Sequence, residues 1–359
     1  MTNKMEKTYL ILLVVLLIIC IVITMYVCQR NNENYTSKVI NNKIHIIHAT
    51  SNLTGNKELS SENLLQDNLN EMAKTHDDEI GLCSLYLLKP SIESVNMKPS
   101  DWVRIGDYIN SVYDKYDAFI VIHGDNTLDY TASALSFMFE NLSKPIVLTT
   151  QGSEVQNKNN ITWPSLSNSL IYASQLRIPE VVVVYDNKVY RGCCSNPVSS
   201  FTPAPLAVMG KDIELNKGIV FSEPTSNMIY KPFNTKIRII VIKLFPGITG
   251  EYISKTLGAY PVQGIVFDLF NNGESPTDKS FLNAIGNLYK KRTLMIGIPE
   301  SSKSNENNNL GVELKNNGVS ECTGMTIEAA VAKLYYIISN TDKFENAIAM
   351  MNTSLRGEM

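Results

Sequence analysis

The stretch His123-Gly-Asp-Asn-Thr-Leu-Asp-Tyr-Thr-Ala-Ser-Ala-Leu-Ser-Phe-Met138 decides the fold of this 359-residue chain. It follows Ala118-Phe-Ile-Val-Ile122, a continuous apolar run of the kind that forms a parallel strand covered on both faces. From about Thr131, apolar residues recur at three- and four-residue steps, which predicts a helix ending near Asn141. A strand, a polar loop and a helix in this order indicate an α/β fold.

The same alternation of strand and helix patterns continues on both sides of this stretch. It begins with a strand predicted at Lys43–His48, and Ser100 is predicted to cap a helix. It restarts at Ile237–Phe245 after a stretch without clear periodicity. Alternating strands and helices predict an α/β architecture with parallel sheets, in a larger and a smaller unit. The expected organisation is an N-terminal membrane segment at 1–30, a tether at 31–42, a larger domain at 43–210, a linker at 211–235 and a smaller domain at 236–359.

Charge and metal-ligand patterns exclude several classes of function. The formal net charge is −3, and no dense run of Lys or Arg occurs, so we expect no nucleic-acid partner. His45 and His48 are three residues apart on a predicted strand, which points them to opposite faces and away from a shared metal ion. We expect neither a metal nor a cofactor.

The cysteines outside the N-terminal segment form neither a disulfide framework nor a pattern with zinc-ligand spacing. The adjacent pair Cys193 and Cys194 has two interpretations. The two thiols are either redox-active or simply small residues in a turn. The four cysteines concerned are Cys83, Cys193, Cys194 and Cys322.

Residues Tyr9 to Val27 form an uncharged apolar run long enough to cross a bilayer as a helix. The residues before Gln29 make a poor cleavage site, so an uncleaved signal anchor is the favoured interpretation and a cleaved signal peptide the alternative. We therefore expect a membrane-anchored protein whose body is luminal or extracellular.

An ordered series of motifs resembles the bacterial-type L-asparaginases, closest to the cytosolic type I branch. The resemblance covers the chain from about residue 43 to the C-terminus. It implies a two-domain asparaginase-like α/β fold, with a larger N-terminal parallel-sheet domain and a smaller C-terminal α/β domain. It also implies a homodimer or homotetramer. Among the motifs that carry it are Met97-Lys-Pro-Ser-Asp-Trp102, Tyr130-Thr-Ala-Ser-Ala-Leu-Ser-Phe-Met138, Val189-Tyr-Arg-Gly192, Phe245-Pro-Gly-Ile248, Met325-Thr-Ile-Glu-Ala329 and Leu355-Arg-Gly-Glu358.

The resemblance implies that an amide is hydrolysed by a Thr nucleophile, activated by a second Thr together with Lys and Asp. Thr50 falls at the nucleophile in one alignment register, whereas a shift by one residue places Ala49 there. Both glycines of the family's Thr-Gly-Gly-Thr turn are lost. The second Thr is replaced by Asp125, and the Lys position falls on Pro197 or Asn196.

The positions that the resemblance implies for substrate binding are changed as well. Asn126 replaces the Asp that holds the substrate's ammonium group, and it lacks the charge of that Asp. Ser94 remains in the segment that binds the substrate carboxylate, while Val95 replaces a hydrogen-bonding residue. Thr127 is expected to cap the following helix. Glu274 falls at an amide position of the second half.

Three hypotheses follow for the function. The first is an asparaginase-like pseudoenzyme that binds a small amino acid, an amide or a protein, with Ser94 and Asn126 as substrate-binding residues. The second is an active amidohydrolase with a remodelled site that uses Thr50 or Asp125 as its catalytic residue. The third is a purely structural ectodomain.

Overall fold

The computed structural model describes residues 42–50, 67, 69, 82–150, 164–175, 178–185, 188–194, 204–208, 211–215, 226–270, 273–299, 311–322 and 324–359. Residues Asn42–Met359 form one compact unit. Within it, an eight-stranded sheet belongs to the N-terminal half and a four-stranded sheet to the C-terminal half.

The N-terminal sheet is parallel over most of its width and mixed at one side. In the order β2-β1-β3-β5-β6-β7-β9-β8, the strands from β2 to β6 are parallel. Beyond them, β7 is antiparallel to β6, β9 is parallel to β7, and β8 is antiparallel to β9. The prediction of a parallel sheet therefore holds for five adjacent strands. The strands are β1 (Lys43–Thr50), β2 (Leu82–Ile92), β3 (Ala118–His123), β5 (Ile146–Thr150), β6 (Val181–Tyr185), β7 (Lys188–Arg191), β8 (Ala204–Val208) and β9 (Lys211–Leu215).

The helices that the described residues form beside this sheet are α1 (Pro99–Val112), α2 (Leu128–Met138) and α3 (Pro164–Gln175). The predicted start of α1 is wrong, because Lys98 and not Ser100 is its N-cap. Pro99 suits the first helical position, where no N–H donor is needed. The Asp101 carboxylate then accepts a hydrogen bond from the Lys98 backbone N–H at 3.0 Å. A Pro and an acidic residue thus start this helix one residue before Ser100.

The C-terminal sheet is parallel throughout, in the order β11-β12-β13-β14. A short antiparallel pair, β4 (Phe139–Glu140) with β10 (Ile229–Tyr230), lies outside both larger sheets. The remaining elements are β11 (Ile239–Lys243), α4 (Gly250–Ala259), β12 (Gly264–Leu269), α5 (Lys279–Lys290), β13 (Leu294–Pro299), α6 (Val312–Asn316), β14 (Val319–Glu321), α7 (Ile327–Asn340) and α8 (Phe344–Met351).

Strand β3 shows how the apolar run of the sequence becomes core. All six of its residues are buried. Phe119 and Val121 join one hydrophobic cluster, whereas Ile120 and Ile122 join a second cluster on the opposite face. Each such side chain contributes about 1.5–3 kcal/mol through burial. A strand with two buried faces therefore needs a nearly continuous apolar run, and the buried polar residue that ends β3, His123, has hydrogen-bond partners at both ring nitrogens.

The first of these clusters extends into the C-terminal half. It includes Leu135 and Phe137 of α2 together with Leu334 and Ile337 of α7. Helix α2, which begins directly after the Asp125–Thr127 loop, is therefore packed against the C-terminal half of the chain.

Part of the expected linker at 211–235 belongs to the sheet. Lys211–Leu215 forms β9, which pairs with β8 and with β7. These residues extend the N-terminal sheet before the chain reaches β10.

The expected membrane anchor and the luminal or extracellular location are corrected. Among the described residues, no helix combines the length and the apolar character that crossing a bilayer requires. The segment from Tyr9 to Val27 that motivated the prediction lies outside the described residues, as does the expected tether. The prediction of a membrane-anchored body is not retained.

Candidate functional site

The candidate site lies where the chain reverses its direction of travel across the N-terminal sheet. Strand β1 lies between β2 and β3 and is parallel to both. The chain moves from β1 to β2 on one side and then crosses to β3 on the other. At such a switch point the loops leave the carboxyl ends of neighbouring strands in opposite directions, which opens a crevice for ligands.

The register brings three of the predicted positions to this edge. Thr50 ends β1 and is paired with Ile92 near the end of β2. Ser94 follows β2 in a short 3-10 turn, Ser94–Asn96, and Asp125 follows β3 in a second one, Asp125–Thr127. Three segments that are distant in sequence therefore end beside one another.

Ser94 and Asn126 are in direct contact. The Asn126 side-chain amide donates a hydrogen bond to Ser94 Oγ at 3.1 Å. Ser94 is 3% exposed, whereas Asn126 is exposed to solvent. Of the two residues expected to bind substrate, Ser94 therefore lies in the interior of the crevice and Asn126 lies at its surface.

Thr127 strengthens the same connection and corrects its predicted role. Its hydroxyl donates a hydrogen bond to the Ser94 carbonyl oxygen at 2.7 Å. Thr127 does occupy the N-cap position of α2, but its side chain makes no capping hydrogen bond. The hydroxyl instead holds the turn after β2 against the turn after β3.

His123 is enclosed beneath the loop. The residue is fully buried, its Nδ1 lies 2.8 Å from the Gly124 carbonyl oxygen, and its Nε2 lies 2.9 Å from Thr131 Oγ1. Burial lowers the pKa of His123 to about 4, so the ring is neutral near pH 7. A neutral ring that donates from Nδ1 must accept at Nε2. The Thr131 hydroxyl, which also lies 3.2 Å from the Thr127 carbonyl oxygen, is then the donor to the ring. The sequence patterns did not single out Thr131, whose partner lies eight residues earlier in the chain.

The other predicted residues contribute unequally. Asp125 and Val95 are exposed, the latter at 66%. Glu274 is exposed in a turn of the C-terminal half, where it bridges to Phe270. Pro197 and Asn196 lie outside the described residues.

The chemistry of this edge is that of neutral hydrogen-bonding groups with one carboxylate. A hydroxyl, an amide and a second hydroxyl surround the start of α2, and Asp125 adds the only charge of the Asp125–Thr127 turn. Such groups can orient a small polar ligand through hydrogen bonds. An amide that takes the place of a carboxylate gives up the stronger, charge-assisted hydrogen bond to a cation.

Comparison with known proteins places both halves of the chain in one family. Residues 43–210 match the family model Asparaginase, N-terminal, and residues 238–351 match Glutaminase/Asparaginase C-terminal domain. L-asparaginase 1 of Escherichia coli strain K12 is 29% identical over 306 residues, covering 82% of this chain and 90% of that protein. The 60 kDa lysophospholipase of Mus musculus is 28% identical over 282 residues, covering 76% of this chain and 50% of that protein.

A solved structure agrees in both fold and sequence. The crystal structure of L-asparaginase I from Vibrio cholerae O1 biovar eltor superimposes with a TM-score of 0.77 and 30% identity, covering 89% of this chain and 99% of that one. The predicted two-domain fold and the resemblance stated from the motifs are thereby confirmed. The chain belongs to the asparaginase family.

Proposed function

We propose that this asparaginase-like protein is catalytically impaired and acts by binding a small amino acid or amide at the switch point of its N-terminal sheet. The hydrogen bond from the Asn126 amide to Ser94 Oγ is the observation that carries the proposal. It joins the two positions that the family resemblance assigns to substrate binding, while the ammonium-binding position holds no charge.

The surroundings of the loop support binding over hydrolysis. A Thr or water nucleophile needs a partner that removes its proton. The His123 ring, the closest imidazole in sequence, has both nitrogens engaged and is buried. The side-chain amide of Asn126 is not a base. The loop thus retains groups that can orient a ligand. It lacks a proton-transfer group comparable to the second Thr with its Lys and Asp that the resemblance implies.

Thermal-shift and calorimetric titration of the purified chain with L-asparagine, L-aspartate and L-glutamine tests this proposal. We expect binding by at least one of them, without ammonia release. Ser94→Ala should weaken binding about fivefold, which corresponds to the loss of one hydrogen bond of about 1 kcal/mol. Asn283→Ala, at an exposed position of α5, serves as the control for Asn126→Ala. Binding that is unchanged in both Ser94→Ala and Asn126→Ala would place the ligand elsewhere and refute the proposal.

The alternative is an active amidohydrolase with a remodelled site. Its support is positional, because Thr50 ends the strand next to the crevice and the Asp125 carboxylate is exposed at the same edge. Ammonia release from asparagine, glutamine or a small peptide amide that Thr50→Ala or Asp125→Ala abolishes would establish this alternative. It would also overturn the proposal of impaired catalysis.

We also propose that the chain self-associates as a homodimer or a higher homo-oligomer. Strand β11 lies at the edge of the described four-stranded sheet. Val241 on this strand is 39% exposed, and nearby Phe245 and Tyr252 are 50% and 58% exposed. Apolar side chains at an exposed strand edge favour association with another chain. A second copy of this chain is the partner that we propose for this edge.

A further inference from the structure

Two adjacent thiols lie together directly after the end of β7. The Cys193 and Cys194 sulfurs are 3.9 Å apart in the turn Gly192–Cys194. Cys193 is 1% exposed, and Cys194 is half-buried. The Cys194 thiol is therefore accessible to a small reagent, whereas the adjacent Cys193 thiol is buried.

The turn that carries these thiols is fixed against α2. The Ser133 hydroxyl donates to the Gly192 carbonyl oxygen at 3.2 Å. A Cβ added at Gly192 would lie 2.8 Å from Ser136 Oγ and 2.9 Å from the Val181 carbonyl oxygen. Because the backbone is packed this closely at Gly192, the start of the turn is fixed against α2.

Both thiols hold the C-terminal segment. Cys193 Sγ lies 3.3 Å from the Arg356 carbonyl oxygen, and Cys194 Sγ lies 3.2 Å from that of Gly357. Arg191, the residue before the turn, reaches the Gly357 carbonyl oxygen at 3.5 Å. Gly357 has φ +76°, and a Cβ there would overlap the Arg191 guanidinium. The turn after β7, together with Arg191, thus makes hydrogen bonds to two consecutive carbonyl groups in the C-terminal segment.

The C-terminal segment also contacts the rest of the molecule through its side chains. Arg356 donates to the Ser136 carbonyl oxygen at 3.0 Å, at the end of α2, and pairs with Glu140 at 3.1 Å. Glu358 forms a fully buried ion pair with Lys333 of α7 at 2.7 Å. A change at the two thiols can therefore alter how the C-terminal segment is held.

We propose that Cys193 and Cys194 form an oxidation site for hydrogen peroxide, that its product is a reversible vicinal disulfide, and that this oxidation loosens residues 353–359. The Cys194 sulfur attacks the peroxide O–O bond and becomes a sulfenic acid, and one water leaves. Cys193 Sγ then attacks the sulfenic sulfur, the S–S bond forms and a second water leaves. Two thiols are oxidised, and one peroxide is reduced to two waters.

The order of attack follows from the two environments. When Cys194 ionises, the Cys193 S–H turns from the Arg356 carbonyl oxygen to the Cys194 thiolate, and this hydrogen bond lowers the pKa of Cys194. The same bond and burial raise the pKa of Cys193. The half-buried thiol therefore ionises first, and thiolate character together with access governs oxidation. A neighbouring thiol then resolves the sulfenic acid, as in redox-sensing cysteine pairs.

Reversibility and loosening have separate physical reasons. Adjacent Cα atoms are about 3.8 Å apart, below the roughly 4.4–6.8 Å of ordinary disulfides, so the ring is strained and is readily reduced. A disulfide also carries no S–H group. Oxidation therefore removes both thiol donors that face the Arg356 and Gly357 carbonyl oxygens.

Peroxide treatment of the full chain, followed by peptide mapping and hydrogen exchange, tests the proposal. We expect a peptide with an intramolecular Cys193–Cys194 disulfide, lighter by two hydrogens and restored by dithiothreitol. Amide exchange in residues 353–359 should accelerate about threefold to tenfold, since each lost hydrogen bond is worth about 1 kcal/mol. The readout does not depend on any catalytic activity.

Serine variants supply the controls, because a hydroxyl keeps a donor for each carbonyl oxygen. Cys194→Ser should abolish both the mass change and the accelerated exchange, whereas Cys83→Ser should leave both intact. Met359 contacts Lys333 through its sulfur, and peroxide oxidises methionine in every variant, so the Cys194→Ser protein also corrects for that reaction. Failure to form the vicinal disulfide, pairing with another cysteine, or a disulfide with unchanged exchange in residues 353–359 would each overturn the proposal.

Discussion

Asn126 determines what the switch-point loop can recognise, because it holds an amide where the resemblance implies a carboxylate. The double variant Asp125→Thr/Asn126→Asp restores the implied pair. We expect it to bind asparagine at least about tenfold more tightly than the parent, since hydrogen bonds to charged groups are roughly twice as strong as neutral ones. Ser94 Oγ can reverse its role and donate to the new carboxylate, so the contact between the two turns survives. Calorimetric titration measures the affinity, with Asn283→Asp as the control. Equal or weaker binding would contradict the assigned ammonium position.

Thr131 is the residue whose role emerges only from the folded structure. Thr131→Val removes the hydroxyl that faces His123 Nε2 and keeps the side-chain shape. A buried acceptor without its donor costs about 1–3 kcal/mol, so the free energy of unfolding should fall by that amount. Urea denaturation measures it, and Thr256→Val at an exposed position of α4 should change stability by less than about 0.5 kcal/mol. A Thr131→Val protein as stable as the parent would show that the hydroxyl does not satisfy His123.

At the scale of elements, sequence patterns locate strands and helices better than they locate the contacts between them. Strand β3 was predictable because two buried faces require a continuous apolar run. Helix α5 (Lys279–Lys290) was predicted with the bounds that it has. Helix α2 begins at Leu128, three residues before the predicted start at Thr131.

The contacts of the site depend on register, which local patterns do not encode. Ser94 and Asn126 are 32 residues apart and touch because β1 separates β2 and β3 by one strand. The same limit explains why the prediction that the Thr127 side chain caps α2 is wrong. Its hydroxyl donates instead to the Ser94 carbonyl oxygen, in the turn after β2. The antiparallel direction of β7 likewise depends on a connection between strands and not on the composition of either one.

The ion pair between α7 and the C-terminal segment gives a prediction at the same scale. Lys333 and Glu358 are both buried, and Lys333 also donates to the Thr353 carbonyl oxygen at 2.7 Å. Lys333→Met leaves a buried carboxylate without its cation, which should lower the free energy of unfolding by about 3–5 kcal/mol. Lys255→Met, which breaks an exposed pair with Glu251, is the control and should cost less than about 1 kcal/mol. Urea denaturation of the two variants compares them directly, and equal losses would mean that burial adds nothing to the pair.

The pH dependence of this pair has a definite sign. Burial raises the pKa of Glu358, but Lys333 and the backbone N–H groups of Arg356 and Leu355 lower it by a larger amount. The pKa of Glu358 therefore lies below its usual value of 4.5. The unfolded chain therefore takes up a proton at a higher pH than the folded chain does. The stabilisation is present at neutral pH and is lost as the pH falls below about 4.5 and through the folded pKa. In the Lys333→Met protein this part of the acid sensitivity should disappear.

At the scale of the whole molecule, the two sheets differ in the strands that form their edges. In the N-terminal sheet, the strands β7, β9 and β8 extend one side in mixed directions, whereas β11 forms one edge of the C-terminal sheet. The sequence of β11, Ile-Ile-Val-Ile-Lys, is as apolar as that of a central strand. Its burial differs, because Val241 and Lys243 are exposed and the rest are half-buried. An apolar strand at an edge is a template for pairing with another chain, and proteins usually protect such edges with charge or a covering element.

This edge gives a direct test of self-association. A groove of about 200 Å³ lies beside β11 and is lined by Val241, Phe245 and Tyr252 among others. If a second copy covers it, the parent chain should sediment as at least a dimer at micromolar concentration, and Val241→Lys should convert it to monomer. A lysine there places an unpaired charge in the contact while remaining soluble on a free edge. Val312→Lys, at a position that is 66% exposed on α6, introduces the same charge elsewhere and should leave the oligomer unchanged. A monomeric parent would refute self-association, and a Val241→Lys protein that remains oligomeric would show that the chains associate through a different face.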